Sequence, residues 1–183
     1  MDTLNSTLHY WANATNLTGD PNATWTYNGS FNAVDMNANG SVVVAGGVLT
    51  PGLFLWTNAT QLEGVVSPDW ARLNSTQVLD VAIDSGGSFI LASTIDSVNT
   101  TDFKACFFYA DGSEADEFNL LQRSPFVSMS SSGNVSAVAG PGFDSLYVFI
   151  LEFPSVTAVT VYMLVAAALI IGYHARSREC PRQ

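Results

Sequence analysis

The feature that most constrains this chain is that it repeats itself. Three segments align along its length: residues 35–46 (DMNANGSVVVAG), 82–93 (AIDSGGSFILAS) and 128–139 (SMSSSGNVSAVA), with starts 47 and 46 residues apart. Each reads as a short strand, a turn built from Asn, Asp, Ser and Gly, and a second strand of small and β-branched residues, which is a β-hairpin pattern. A second block repeats in a different phase. Residues 8–19 (LHYWANATNLTG) match 53–64 (LFLWTNATQLEG), so that Trp11 meets Trp56 and Trp25 meets Trp70, each 45 residues on. Weaker copies of that strand stand at 105–110 (ACFFYA) and 146–153 (LYVFILEF). A fixed period of this length means that each copy is one supersecondary unit, which buries its apolar faces only by stacking on its neighbours.

The unit holds four strands. The first full copy, near 31–73, places them at 31–36, 41–46, 52–57 and 69–73. The second, near 78–119, places them at 78–83, 88–93, 103–110 and 116–119, and the third, near 126–153, at 126–129, 134–138 and 146–153. A half copy at 8–12 and 24–27 precedes them, and no helical period occurs before residue 154. The chain is therefore expected to be all-β up to residue 153. Four antiparallel strands at a period of about 40–50 residues are the signature of a β-propeller blade. A β-sandwich is the main rival, but it would not require the tryptophans to recur at blade spacing. Thirteen strands make about three and a quarter blades, an incomplete ring with open sheet edges. The expectation is the C-terminal part of a longer propeller, or a propeller completed by self-association or by another chain.

The patterns VDMNANGSVVVAGG and LFLWTNAT and the later Pro68-Asp69-Trp70 resemble the repeats of WD-like and pyrroloquinoline-quinone-like β-propellers of microbial, archaeal-type cell surfaces. The likeness covers about residues 7–153. It departs from the family pattern in the third copy, which lacks the tryptophan, with Tyr109 and Phe149 standing where Trp11 and Trp56 do. The resemblance implies a surface propeller. It does not imply a bound quinone, and no cofactor is expected.

Residues 156–173 (VTAVTVYMLVAAALIIGY) stand apart: 18 residues without a charge. A helix of that length spans roughly 27 Å, close to the ~30 Å hydrocarbon core of a bilayer. Pro154 and Ser155 suit a helix start, so residues 154–173 are expected to form one transmembrane helix. The tail 174–183 carries Arg176, Arg178 and Arg182 against one acid, Glu179, whereas residues 1–155 carry 3 basic and 15 acidic side chains. The positive-inside rule puts this tail in the cytoplasm and residues 1–153 outside, a single-pass topology. The N-terminus MDTLNSTLHYW has no basic or apolar signal region. Either a signal has been removed from a longer precursor or Met1 is not the natural start.

Export has a second, independent indication. Asn-x-Ser/Thr sequons occur at Asn5, Asn13, Asn16, Asn22, Asn28, Asn39, Asn58, Asn74, Asn99 and Asn134, ten of the thirteen asparagines. With Ser plus Thr about a fifth of the chain, chance would place only ~2–3 there. Turn chemistry accounts for some of them, such as Asn28-Gly-Ser and Asn39-Gly-Ser. All ten are candidate N-glycosylation sites.

Catalytic chemistry has little to build on. There are two histidines, two cysteines and six basic residues in a chain of net charge −10. Nucleic-acid binding, which rests on Lys and Arg, is not expected. Cys106 reads as a small buried hydrophobe and Cys180 as a juxtamembrane residue open to palmitoylation. His9 sits in an aromatic strand, at the place of Phe54 in the next copy. The turns at 37–40, 84–87 and 130–133 resemble calcium loops only faintly, since Asp84 is their one acid. The acidic run at 111–117 reads as a solvated loop, and Gly46-Gly47 and Gly140-Pro141-Gly142 as inter-strand turns. No metal, catalytic or cofactor residue is assigned. The expected function is a non-enzymatic, membrane-anchored extracellular binding or cell-envelope scaffold whose protein or glycan partner the sequence does not name. The alternative is the tethered part of an exported quinone-dependent dehydrogenase whose site lies in blades outside this chain.

Overall fold

Alternating apolar residues followed by a turn form a hairpin, and hairpins form here where the repeat puts them. The computed structural model describes residues 6–12, 14, 22–48, 51–120, 126–140 and 146–150. Its strands are β1 (Ser6–Tyr10), β2 (Trp25–Gly29), β3 (Phe31–Met36), β4 (Val43–Gly47), β5 (Leu53–Trp56), β6 (Gly64–Val65), β7 (Trp70–Arg72), β8 (Thr76–Ile83), β9 (Phe89–Asp96), β10 (Phe103–Tyr109), β11 (Glu114–Leu120), β12 (Phe126–Met129), β13 (Val135–Ala139) and β14 (Tyr147–Ile150). The first blade is β3-β4-β5-β7 in spatial order, and the second is β8-β9-β10-β11. The third has three strands among the described residues, β12-β13-β14, and the leading half blade is the antiparallel pair β1-β2, with β6 added beside β2. Pairing within each blade is antiparallel. Between residues 31 and 150 the described helical structure is the 3₁₀ turn Ala59–Gln61. The described strands make no closed ring.

One device closes the hairpin between the first two strands of each of the three blades. The side chain at the start of the turn accepts the backbone N–H five residues on: Asn37 from Val42 at 2.9 Å, Asp84 from Phe89 at 2.7 Å and Ser130 from Val135 at 3.1 Å. Three residue types fill one role because each offers an oxygen on a short side chain. The glycines three residues on, Gly40, Gly87 and Gly133, have φ of +71°, +76° and +75°, a left-handed conformation that L side chains rarely adopt. The turns also bond one another. Ala38 N–H donates to the Ser85 carbonyl and Ser85 N–H to the Ser131 carbonyl.

Side chains alternate across each strand, and in the first blade both faces are covered. Leu53 and Leu55 of β5 and Val44 of β4 pack with Val78, Val81, Ile83, Ile90, Ala92, Cys106 and Phe108 of the second blade. Phe54, Trp56, Val43 and Ala45 face the other way, onto Tyr10 and Trp25 of the half blade. Full burial of each large apolar side chain contributes roughly 1.5–3 kcal/mol, so the inter-blade layers are where this fold gains its stability. The second and third blades meet through Phe107, Phe118 and Phe149, with ring centroids 4.8–5.9 Å apart.

The first strands of successive blades are joined by side chains that the repeat did not single out. Asp35 accepts the N–H of Met36 through one carboxylate oxygen, at 2.8 Å, and the N–H of Ile83 in the next blade through the other, at 2.9 Å. Asp80 does the same with Val81 and with Val127, each at 2.9 Å. Asn32 donates to the Val78 carbonyl at 2.7 Å. Asn32 lies at the register irregularity of β3, and Asp80 borders that of β8. Such bulges re-aim side chains away from the ladder.

Several expectations are corrected. β4 begins at Val43 rather than 41, because Ser41 and Val42 donate their N–H groups to the turn side chains Asn39 and Asn37. Gly46 and Gly47 belong to β4, not to a turn. A Cβ on Gly46 would lie 2.3 Å from Val78 Cγ1, so the small residue is what lets the blades approach. The acidic run is loop only as far as Ser113, and Glu114, Asp116 and Glu117 lie in β11. An outer strand of exposed charge resists pairing with foreign strands. One two-residue strand, β6, was not anticipated. It leaves the connection between β5 and β7 and pairs parallel with β2 of the half blade.

Replacing Asp35 or Asp80 with Ala is expected to destabilise the protein by about 1.5–3 kcal/mol, the worth of a hydrogen bond to a charged acceptor. In urea unfolding, the midpoint should fall while the m-value holds.

Candidate functional site

A functional reading must first separate groups that serve the fold from groups that face outward. The tryptophans serve the fold. Trp25 at the start of β2 and Trp70 at the start of β7 take equivalent places: each pairs across to the third strand of its blade, Trp25 with Tyr10 and Trp70 with Leu55. Each reaches into the following blade. The Trp25 indole N–H donates to the Ala59 carbonyl at 2.8 Å and its ring lies 5.6 Å from Trp56. The Trp70 indole N–H donates to the Ala110 carbonyl at 2.8 Å and its ring lies 6.3 Å from Phe108. The 45-residue match therefore marks a repeated clamp between blades. It also corrects one correspondence: Phe108, not Tyr109, holds the place of Trp56. Ile90 faces Phe108 across the strands as Val43 faces Trp56. The longer connection before β10 displaces this strand from the simple period.

Most of the acidic surface is committed in the same way. Asp84 is buried, and its carboxylate accepts the N–H groups of Gly86, Ser88 and Phe89, so it is a turn former. Asp69 accepts from the Thr57 N–H and hydroxyl. Backbone N–H groups of Asn99 and Val98 hold the Asp96 carboxyl below its ordinary range, and the Ser113 hydroxyl and N–H do the same for Asp111. A group held low contributes stability that is complete above the ordinary Asp pKa and lost as the pH falls through the shifted value. The two basic side chains among the described residues are engaged too. Arg72 lies over the Trp70 ring and donates to the Gly112 carbonyl at 3.1 Å. Lys104 pairs with Glu117 at 2.9 Å, which raises the lysine's pKa. Among the described residues, no three His, Cys, Asp or Glu side chains gather as a metal would require.

His9 is exposed in β1 and stacks on Trp11, with centroids 5.6 Å apart. Cys106 is buried, and burial pushes its thiol up to about 12. Seven of the ten sequon asparagines lie in the described residues: Asn22, Asn28, Asn39, Asn58, Asn74, Asn99 and Asn134. All seven are exposed. The buried asparagine, Asn37, is outside any sequon. Asn99 accepts from the Thr101 hydroxyl at 2.8 Å and Asn39 from the Ser41 N–H at 3.0 Å, so local turn chemistry does account for part of the Asn-x-Ser/Thr pattern. Asn5, Asn13, Asn16, Cys180 and the 154–173 span lie outside the described residues. Among the described residues no helix is long and apolar enough to cross a membrane.

No family model matches the sequence, and no curated protein matches it. Solved structures do. A structure of Kluyveromyces lactis Hsv2 with complete loop 6CD is 20% identical, with a TM-score of 0.53 over 69% of this chain and 38% of that one. Two further structures of Hsv2 from the same organism give TM-scores of 0.51 and 0.50 at 19% and 17% identity, covering 69% and 74% of this chain and 39% and 42% of theirs. Hsv2 is a WD40 β-propeller. The likeness establishes a β-propeller fold. It bears on the propeller part of the sequence resemblance and not on the quinone-type or archaeal part. The chain spans about two fifths of the length of these structures.

In a Cys180→Ser background, Cys106 is expected to resist a maleimide at neutral pH in the native protein and to react once guanidinium unfolds it. Labelling of the folded protein would contradict its burial.

Proposed function

We propose that this chain is the membrane-tethered part of a β-propeller displayed on the outer side of a membrane, acting as a binding or envelope scaffold without catalysis of its own. The observation that carries the reading is the uncharged stretch 156–173 with arginines at 176, 178 and 182 behind it and a net of twelve negative charges ahead of it. An apolar segment of that length fits a bilayer, and its charge asymmetry orients it. The exposure of all seven described sequon asparagines supports an ectodomain open to glycosylation. A surface whose described cations are both held by the protein itself, and whose carboxylates mostly brace turns, supports recognition through loop shape and polar groups rather than through a charged active centre.

Ala167→Arg puts a charge in mid-span, at roughly 2.5–3.5 kcal/mol. The full chain expressed with microsomes is expected to stay in the pellet through an alkaline wash and to gain glycans removable by an amidase. Ala167→Arg should shift it toward the wash. A wild-type chain recovered wholly in the wash, or one that never gains glycans in membranes that glycosylate a control, would overturn the topology.

A further inference from the structure

We propose that the contact between the second and third blades is a joint, at which the third blade and whatever packs behind it part from the second while the first two blades stay folded together. The proposal rests on the blades alone and not on membrane attachment. The two earlier junctions share a fastening. Trp25 and Trp70, each on the outer strand of the earlier blade, donate their indole N–H groups to the carbonyls of Ala59 and Ala110, both at 2.8 Å. Arg72, two residues along from Trp70, adds a bond to the Gly112 carbonyl.

Strand pairing carries both fastening places to the second blade. Leu55 pairs with Trp70, and Phe107, in the place of Leu55, pairs with Asp116. Leu53 pairs with Arg72, and Ala105, in the place of Leu53, pairs with Phe118. Asp116 and Phe118 therefore stand where Trp70 and Arg72 do. Neither side chain has a hydrogen to offer a carbonyl of the third blade. An ionised carboxylate only accepts, and that of Asp116 takes the Glu117 N–H at 2.8 Å. At this junction the second blade contributes ring contact, Phe107 and Phe118 on Phe149, with no donor at either fastening place.

The core of the junction differs in the same direction. Val43 and Ile90 hold one place in the second strands of the first two blades, opposite Trp56 and Phe108, and both are buried. In the third blade that place is Ser136, opposite Phe149. Ser136 is 1% exposed, and its hydroxyl has no hydrogen-bond partner. A buried hydroxyl left unmet has given up its water without recompense and regains it when the blades part. The place that holds the earlier junctions closed by apolar packing therefore favours opening here. The third blade is tied at its first strand and turn, where Val127 N–H donates to Asp80 and the Ser85 N–H and hydroxyl donate to the Ser131 carbonyl. Asp116 and Ser136 belong to the junction itself, so they act whatever covers the far side of the third blade. A segment that parts in this way is a unit of sub-global opening. It bares Phe107, Phe118 and Phe149 while the core around Leu53, Leu55 and Cys106 stays closed.

The test is native-state hydrogen exchange of the full chain in detergent, read by mass spectrometry at β4, β9 and β13. Each is the second strand of its blade and is paired on both sides, so a difference between them reports how their blades open. β13 is expected to exchange at least about tenfold faster than β4 and β9. Ser136→Val should slow β13 by about tenfold and leave β4 and β9 unchanged. Ser136→Ala, which removes the hydroxyl without adding bulk, serves if that variant fails to fold and should act in the same direction. Trp70→Phe keeps a ring and removes the donor. In a Cys180→Ser background it should speed maleimide labelling of Cys106 at least about tenfold, because the first and second blades then lose their fastening. One exchange rate in all three strands would overturn the proposal. So would a fast β13 that neither Ser136 variant slows, or a Cys106 as protected in Trp70→Phe as without it.

Discussion

The stacking of one sheet on the next is what the rest of this structure depends on. A four-stranded sheet has two faces, and the strand period of two sends alternate side chains to each. In the first blade the second and third strands, β4 and β5, are buried throughout. That burial is possible only because the half blade covers one face and the second blade the other. A lone hairpin from this chain would have nowhere to put Leu53 and Leu55 on one side or Phe54 and Trp56 on the other. The fold is quasi-one-dimensional for this reason: each blade is completed by its neighbours.

Stacking by apolar contact alone would leave the blades free to slide. The hydrogen bonds between them set the register at both rims. Near the first strands, Asp35 and Asp80 each tie a bulged or neighbouring backbone to the next blade. Near the outer strands, Trp25 and Trp70 reach the carbonyls of Ala59 and Ala110. Each bond satisfies a backbone group that the blade ladder leaves unpaired, where an unmet partner would cost the full desolvation of that group. The acidity of the chain is in good part this chemistry. Its carboxylates accept backbone N–H groups at turns and bulges, and so the strongly negative composition is a poor guide to what the protein binds.

The blade count, the hairpin turns and the clamp tryptophans were legible in the sequence because each depends on local residue types at a fixed spacing. Asn37, Asp84 and Ser130 differ chemically, yet the glycine that follows each shows that they serve one turn. The inter-blade carboxylates were not legible. Asp35 and Asp80 lie 45 residues apart like the tryptophans, but strand pairing puts Asp35 in register with Ala82, two residues from Asp80. Only the bulge of β8 lets Asp80 do the same work from a different position. The place of Trp56 in the second blade was misread as Tyr109 rather than Phe108, because an elongated connection shifts β10 out of the period. The two-residue β6 has no residue pattern of its own and exists only because the half blade offers an open edge.

By itself, the sequence determined the repeat unit, the strand and turn chemistry within it and the all-β class, since these follow from side-chain alternation and from backbone preferences over a few residues. It also determined which asparagines carry sequons. What only the tertiary structure decided is which face of each strand meets which neighbour. Trp56 is wholly buried while its counterpart Trp11 is 40% exposed, although the two sit in almost the same local sequence. Burial is a property of what lies across the interface, and two residues with the same local preferences differ in it when their surroundings differ.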